Sequence, residues 1–371
     1  MTPAQSKPLI GFLLLGGIHH ILHLIPPASE LGKAQDVKVI IFVRNKSEKM
    51  MCEDILRRLG MANPDIKILK AAPWLGAISP KLSVLISNLR QFEKLDALIV
   101  AERTSTLLRY WPGKRPIFIH IPHGAGDREK SYDPRLRHFD YILVAGEKDK
   151  TRMIEKGVTR AENCYVTGYI KPYVVRALDA DLPALFETDR PVVLYNPHFD
   201  ETLSSWNTYG FELLDHFAKT PRFNFVFAPH IRLFSKASET IRARILAYKK
   251  HPNIHIDLGS ARSTDMTYTR FADIYLGDVS SQVYEFLSKP KPCVFIGAET
   301  TPWHNNPDYA HWRYGQVCHT SEAVMSALET AFTDHETYRE LQIKGCRAAM
   351  GDPNWNPVKR ASDRIRSILG R

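Results

Sequence analysis

The sequence predicts an α/β protein made of two doubly wound, Rossmann-like domains. Three observations predict this fold class. Short apolar runs alternate with helical patterns along the whole chain. These runs are continuously apolar, which is typical of parallel strands covered by helices on both faces. The alternation breaks once, near residues 171–191, and then restarts, so a chain of 371 residues is expected to hold two such domains.

The first half of the chain predicts six strands. Its apolar runs are Ile10–Leu15, Val37–Val43, Ile66–Leu69, Ala97–Val100, Ile117–Ile121 and Tyr141–Val144. A Gly-Gly turn and a helix follow the first run, and helical periodicity covers Ser47–Leu59 and Leu82–Glu93. Binding sites in such domains lie beyond the carboxyl ends of strands, so the residues after each run are the candidates for function.

A break in this pattern predicts the domain boundary. Lys171–Pro191 holds three prolines and several acidic residues with weak periodicity. We therefore expect an N-terminal domain at 1–180, a linker at 181–190 and a C-terminal domain at 191–371, with the C-terminal helices packing back on the first domain.

The second half restarts the alternation and completes the fold prediction. Its strands are expected at Val192–Tyr195, Phe223–Phe227, Ile254–Ile256, Ile274–Leu276 and Cys293–Ile296. Its helices are expected at Tyr209–Lys219, Ser238–Lys249, Thr264–Phe271, Gln282–Ser288, Ser321–Thr333, His335–Met350 and Val358–Leu369.

Two doubly wound domains that face a central cleft form the glycosyltransferase-B (GT-B) architecture. Two-domain dehydrogenases and periplasmic binding proteins are the alternatives. No Gly-x-Gly-x-x-Gly follows Leu15, which counts against a dehydrogenase. No signal-peptide pattern is visible, which counts against a periplasmic receptor.

Composition narrows the class of partner. The net charge of +10 favours anionic ligands, such as nucleotides and phosphorylated substrates. The basic residues are scattered and are not interleaved with aromatic residues, so nucleic acid is not expected.

The five cysteines are far apart, which suits a reducing cytoplasm rather than a disulfide framework. Glycines and histidines interrupt the apolar stretch Leu9–Pro26, so no spanning helix is predicted, although the charge is compatible with peripheral contact at an anionic membrane.

The most informative motif is the run Gly277–Leu287. The predicted strand Ile274–Leu276 ends just before it, Asp278 is a candidate donor-binding residue, and Ser280 and Ser281 open a predicted helix. The free N–H groups and positive dipole end of a helix start suit a phosphate. Glu285 lies four residues past Ser281, on the same helical face. The structural alternative is that Ser280 is an ordinary helix cap.

Two histidines follow predicted strands. His123 comes directly after the run Ile117–Ile121 and is followed by Gly124, which lets the backbone approach a ligand closely. An imidazole at this place can accept a proton from an attacking hydroxyl. His230 follows another strand, and Arg232 lies two residues further on, a pair that suits an anion. Ordinary loop histidines are the alternative in both cases.

Four further residues carry weaker signals. Asn196 follows the first strand of the second domain and can orient a phosphate or a base, although an Asn-Pro turn explains it equally well. Gly17 and His19 follow the first strand and are expected to line the cleft on the acceptor side. Asp127, on the same side, can tune the pKa of a histidine.

The spacing of His19 and His23 suits a metal on a helix. No carboxylate or thiolate accompanies that pair, so no metal is predicted.

These motifs, in this order, resemble the CDP-glycerol glycerophosphotransferases of teichoic-acid and capsule synthesis. The resemblance covers roughly His120 to the C-terminus and rests on His-Gly, Tyr-x-Pro, Pro-His and Gly-Asp-x-Ser-Ser-x-x-x-Glu-Phe. It implies that His123 acts as a base on the acceptor hydroxyl and that His230 stabilises the donor phosphate. It also implies that Ser280 and Ser281 hold that phosphate and that Glu285 contacts the ribose.

The resemblance implies a transferase without cofactor or metal. Its donor would be CDP-glycerol or a related nucleotide-linked donor, and its acceptor a hydroxyl of a glycan or lipid-linked glycan. Ala125 and Ala228 stand where the family usually has threonine and lysine, which leaves a nucleotide-sugar donor open. The alternatives are a GT-B glycosyltransferase, an enzyme like the UDP-N-acetylglucosamine 2-epimerases, and a nucleotide-binding protein without catalysis.

Overall fold

The computed structural model describes residues 6–72, 79–178, 182 and 184–371. The chain divides into two compact units. The first unit comprises residues 1–125, 132–179 and 348–371, and the second comprises residues 126–131 and 180–347. This division assigns residues 126–131 to the second unit and 348–371 to the first. Residues 181 and 183 of the predicted linker lie outside the described residues.

The first unit is built on a sheet of seven parallel strands in the order β3-β2-β1-β4-β5-β6-β7. The strands are β1 (Leu9–Leu13), β2 (Lys38–Val43), β3 (Asp65–Ile68), β4 (Ala97–Val100), β5 (Ile117–His120), β6 (Tyr141–Val144) and β7 (Cys164–Val166). The helices are α1 (Ile21–Gly32), α2 (Lys46–Arg58), α3 (Pro80–Ser87), α4 (Leu89–Phe92), α5 (Glu147–Glu155), α6 (Ile170–Leu178) and the C-terminal α12 (Pro357–Ile368).

The C-terminal helix α12 packs against α1 within the first unit. Ser362 Oγ donates a hydrogen bond of 3.0 Å to the carbonyl oxygen of Pro27. Arg366 forms an ion pair of 2.7 Å with Asp36 just beyond α1. The apolar face of α12 thus covers α1, while Lys359 and Arg360 are exposed.

The second unit is built on six parallel strands in the order β10-β9-β8-β11-β12-β13. The strands are β8 (Val192–Asn196), β9 (Asn224–Phe227), β10 (Ile254–Ile256), β11 (Ile274–Gly277), β12 (Cys293–Ile296) and β13 (Gln316–Cys318). The helices are α7 (Trp206–Lys219), α8 (Glu239–Leu246), α9 (Thr267–Phe271), α10 (Gln282–Phe286) and α11 (Ser321–Met350).

Both sheets are doubly wound, as the sequence predicts. The strand order reverses between β1 and β4 in the first sheet and between β8 and β11 in the second. Ligands of doubly wound sheets bind beyond the carboxyl ends of the strands at such reversals. The Gly277–Ser281 turn follows β11 at such a reversal, and the His123 loop follows β5, the neighbour of β4, which makes them the places to look for a site.

The structure corrects two helix predictions. The region Ser321–Met350 is one helix of 30 residues rather than two, since it contains no proline and its one glycine lies near its end. The predicted helix Leu82–Glu93 is divided at Asn88, whose side chain bonds to the carbonyl oxygens of Lys70 and Val84. Among the described residues, no helix is both long and apolar enough to cross a membrane.

Candidate functional site

In the first unit, a backbone hydrogen bond orients the predicted base His123. Its Nδ1 lies 2.9 Å from the carbonyl oxygen of Ala101, just after β4. A carbonyl can only accept, so Nδ1 carries the proton and Nε2 keeps its lone pair. The His123 side chain is exposed, yet enough protein surrounds it that desolvation lowers its pKa. His123 is therefore neutral at pH 7 and has the protonation state of a general base.

Two further histidines surround the His123 ring. The ring centroids of His19 and His20 lie 5.2 Å and 4.6 Å from that of His123. Gly17 has a φ of 123°, a conformation that favours glycine, and it brings the backbone close to the His19 ring. The structure thus brings together three predicted residues of the first unit: Gly17, His19 and His123.

His19 and His23 do not lie on one α-helix. His19 lies in the 3-10 turn Ile18–His20, before α1 begins, so the helical spacing argument does not apply to it. His23 is buried in α1 with its ring centroid 5.5 Å from that of Tyr169. His120 is also buried, stacked on Phe139 at 4.7 Å.

In the second unit, Asp278 is a buried structural anchor. Its carboxylate accepts hydrogen bonds from the backbone N–H groups of His198, Ser205 and Val279, and from the Ser205 hydroxyl. Burial raises the pKa of Asp278 to about 6 in spite of these donors. This carboxylate therefore links the turn after β11 to the segment after β8. We call this hydrogen-bonded set of strand ends the framework, and the hydrogen bonds of Asp278 are made within it.

Asn196 and Ser280 also serve this framework. The Ser280 hydroxyl donates to Asn196 Oδ1 at 2.8 Å and accepts from the backbone N–H of Gln282. The Asn196 amide donates to the carbonyl oxygen of Ala228 at 2.6 Å, so it joins the ends of β8, β9 and β11. Ser281 is exposed, whereas Glu285 is buried in α10, a helix of five residues. Of the two serines, Ser281 presents its side chain to solvent.

Two arginines and a histidine surround the ring of Phe199, beyond the end of β8. The guanidinium of Arg232 lies 4.2 Å from the ring centroid, and that of Arg128 lies 5.9 Å from it. The His230 ring stands 4.5 Å from the same ring. We call Arg128, Arg232 and His230 the cationic cluster, after its two guanidinium groups. Such a group of donors suits the oxygens of a phosphate.

His230 has the tautomer opposite to that of His123. Its Nδ1 accepts the backbone N–H of Arg232 at 3.2 Å, which leaves the proton on Nε2. Burial, together with Arg232 and Arg128, lowers the pKa of His230 to about 4. At pH 7 the ring is neutral, and Nε2–H is a hydrogen-bond donor beside two guanidinium groups.

Sequence reasoning missed Arg128, because it lies in a loop without periodicity. Its Nη1 is buried and has no hydrogen-bond partner among the described residues, and burial lowers its pKa. A buried guanidinium N–H without a partner is costly, and in native proteins such groups commonly face a ligand or a water. Arg128 is therefore the strongest anion-binding candidate that the structure adds.

A buried network holds the Arg128 loop within the second unit. The Asp127 carboxylate accepts the Tyr284 hydroxyl at 2.7 Å and bonds to His311 Nδ1 at 2.8 Å. His311 Nε2 lies 2.9 Å from the carbonyl oxygen of Asp278. Gly126 lies so close to Ser281 that a Cβ on it would come within 2.9 Å of the Ser281 Cβ. Asp127, which the sequence placed on the acceptor side, thus anchors the loop that positions Arg128.

The two doubly wound sheets give this chain the GT-B fold. The chain is similar in structure to UDP-GlcNAc 2-epimerase from Neisseria meningitidis bound to UDP-GlcNAc, with 17% identity and a TM-score of 0.63 over 98% of this chain and 100% of that one. It is similar to S. aureus MnaA, solved with UDP, at 14% identity and a TM-score of 0.64 over 98% and 97% of the two chains. It is also similar to the wall teichoic acid polymerase TagF, at 12% identity and a TM-score of 0.62 over 99% and 88%.

These likenesses show the fold, which the chain shares with enzymes of both kinds. No protein-family model matches the sequence. No curated protein matches it either.

Proposed function

We propose that this protein is a transferase that moves a glycerol-phosphate group from CDP-glycerol, or from a related nucleotide-linked donor, to a hydroxyl of a glycan or lipid-linked glycan. The observation that carries the proposal is the opposite protonation of His123 and His230. One histidine offers a lone pair to a hydroxyl proton, and the other offers an N–H to a phosphate oxygen. A phosphoryl transfer needs both functions.

In the proposed step, the acceptor oxygen forms a bond to the phosphorus that carries the glycerol. The bond from that phosphorus to the oxygen of CMP breaks, and CMP leaves with the bonding electrons. The acceptor proton passes to His123 Nε2. The cationic cluster and Ser281 hold the phosphate oxygens, on which negative charge spreads during the displacement. The chain's own contribution is positioning and electrostatics, and no metal takes part.

The other predicted donor residues have supporting roles in this proposal. Asn196, Asp278 and Ser280 hold the strand ends that carry the phosphate ligands, because their hydrogen bonds are made within the framework. The ribose contact of Glu285 remains a prediction from the family resemblance. On the acceptor side, Gly124, Gly17 and His19 adjoin the base.

An epimerase acting on UDP-N-acetylglucosamine is the second candidate. The likeness to 2-epimerases extends over the full length of one of those chains, which favours it. Against it, two acidic side chains near the strand ends are already engaged. Glu102 accepts the backbone N–H groups of Thr104 and Ser105, and Asp127 is bound to Tyr284 and His311. An epimerase needs acid–base groups at the sugar ring. Because Glu102 and Asp127 are engaged, this chemistry would fall to His123, the neutral base described above.

A ligand screen tests the donor. A ligand that binds the folded state raises the melting temperature by an amount that grows with the logarithm of its concentration relative to its Kd. We expect CDP-glycerol and CDP to raise the melting temperature by several degrees at concentrations where UDP-N-acetylglucosamine has little effect. A shift with UDP-linked sugars alone would contradict the CDP-linked donor. Conversion of UDP-N-acetylglucosamine to its 2-epimer without acceptor would establish the second candidate instead.

Replacement of Arg128 tests the cationic cluster. Arg128→Ala removes a charged hydrogen bond to the donor phosphate, which is worth about 1.5–3 kcal/mol, so kcat/KM for the donor should fall at least about tenfold. Arg128→Lys should recover part of the loss, since it restores the charge without the fork of donors. The matched control is Arg222→Ala, whose exposed ion pair with Glu329 contributes little. Equal effects of Arg128→Ala and the control would exclude Arg128 from the donor site.

A further inference from the structure

The three imidazoles around His123 form a cluster with the chemistry of a metal site. His19, His20 and His123 each offer one ring nitrogen, and these atoms lie within 4.8 Å of one another. Two of these residues follow β1, and the third follows β5. Three histidines with an open fourth position are a common way to bind zinc, which prefers nitrogen ligands in tetrahedral geometry.

His20 is held in place for such a role. The side chain is buried, and its Nδ1 has no hydrogen-bond partner among the described residues. Its ring occupies the space where a Cβ on Gly16 would be, at 1.9 Å from His20 Cε1, so only glycine at position 16 accommodates it. A buried, neutral imidazole nitrogen without a partner needs an explanation, and a cation supplies one.

His123 has the supporting contact that metal-binding histidines usually have. Its Nδ1–H donates to the backbone carbonyl of Ala101, which fixes the ring and leaves Nε2 as the ligand atom. Nitrogen atoms bound to one tetrahedral zinc ion lie about 3.3 Å apart, so small rotations of the rings would close the site. Arg103, Lys171 and Lys81 add positive charge near His123, which opposes a cation at the ring but favours an anionic fourth ligand such as hydroxide.

We propose that His19, His20 and His123 bind a divalent transition-metal ion of the zinc type, and that the bound ion inhibits the enzyme. The second part rests on the proposed function. The ion would occupy the Nε2 lone pair that His123 needs for the acceptor proton. The metal is thus a competitor of the reaction and not its cofactor.

Cobalt binding tests the site without any assay of activity. The full chain is prepared without a polyhistidine tag, freed of metal and titrated with Co²⁺, whose tetrahedral complexes absorb strongly in the visible range. We expect the tetrahedral spectrum in the natural protein and its displacement by Zn²⁺. In His19→Ala and in His20→Ala the affinity should fall at least about tenfold. The control His304→Ala changes an exposed histidine of the second unit and should keep the spectrum.

The outcomes separate the two parts of the proposal. A natural protein without the tetrahedral spectrum, or variants at positions 19 and 20 that keep it, would overturn the metal site. His19→Ala changes a partly exposed side chain, so it tests the site even if His20→Ala fails to fold. If Co²⁺ binds but Zn²⁺ leaves transferase activity unchanged, the inhibitory role is overturned while the site stands. If no transferase activity exists, the cobalt spectrum still decides the site.

Discussion

His123→Ala should lower kcat for transfer by roughly 10²–10⁴-fold while the affinity for the nucleotide donor stays nearly unchanged. The variant removes the Nε2 lone pair that takes the acceptor proton, whereas the donor is held by side chains of the second unit. Because the His123 side chain is exposed, its truncation should leave the fold intact. The measurement is steady-state kinetics with CDP-glycerol, combined with donor affinity from calorimetry.

His138→Ala is a suitable control, because it changes another histidine of the first unit that lies outside the cluster, beside Tyr110. It should keep normal turnover. The result that contradicts the base assignment is a His123→Ala variant with near-normal kcat. A variant that binds CDP-glycerol as poorly as Arg128→Ala would also contradict the division of roles.

The second large effect is a loss of stability in mild acid. Burial lowers the pKa of His120 to about 3 and that of His230 to about 4, and it places the pKa values of His20 and His23 well below the usual value. A histidine whose pKa is lower in the fold than in the unfolded chain binds a proton more readily when the chain unfolds. The fold keeps its full stability above the unfolded pKa of about 6.5 and loses stability as the pH falls below that value.

His120 and His230 should each destabilise the fold by about 2 kcal/mol between pH 7 and pH 5, and His20 and His23 act in the same direction. Such losses are a large part of the free energy of unfolding of a typical protein, which is about 5–15 kcal/mol. Asp278 acts in the opposite direction, since its pKa is raised to about 6 and its protonated form is favoured in the fold, so this one carboxyl group offsets only part of the loss. We expect cooperative unfolding near pH 5 in urea titrations or by circular dichroism.

His120→Leu provides the test of this cause. His120 is buried against Phe139, and its Nδ1 has no hydrogen-bond partner among the described residues, so leucine should fill the site without leaving a polar group unsatisfied. The acid midpoint should move to lower pH, and the slope of stability against pH should decrease. An unchanged slope would mean that His120 does not take up a proton on unfolding.

The sequence predicted most of the fold because the strands are continuous apolar runs. Ala97–Val100, Tyr141–Val144 and Cys293–Ile296 have the predicted bounds. The strands β7 and β13 were missed because each has three residues of which only one is aliphatic, whereas the equally short β10 is marked by Ile254 and Ile256. They lie at the edges of their sheets, where little apolar length is needed.

The candidate site was harder to predict because its chemistry depends on contacts between distant residues. The sequence pointed to His123 and His230, but not to their tautomers, which depend on the Ala101 carbonyl and the Arg232 backbone N–H. It pointed to the serines of Gly277–Leu287, yet Ser280 is committed to Asn196. His20 lies between His19 and His23, which the sequence singled out, but its place beside His123 depends on the fold. For Arg128 the one signal is its charge in a loop that contains glycines.

The most direct test of the proposed function is ³¹P NMR of CDP-glycerol incubated with the protein, with and without a glycan acceptor. We predict that CMP and a new phosphodiester form together, only when the acceptor is present, and that His123→Ala produces neither at a comparable rate. The contradicting result is unchanged CDP-glycerol with every acceptor, while UDP-N-acetylglucosamine alone is converted to its 2-epimer. That outcome would make the protein an epimerase.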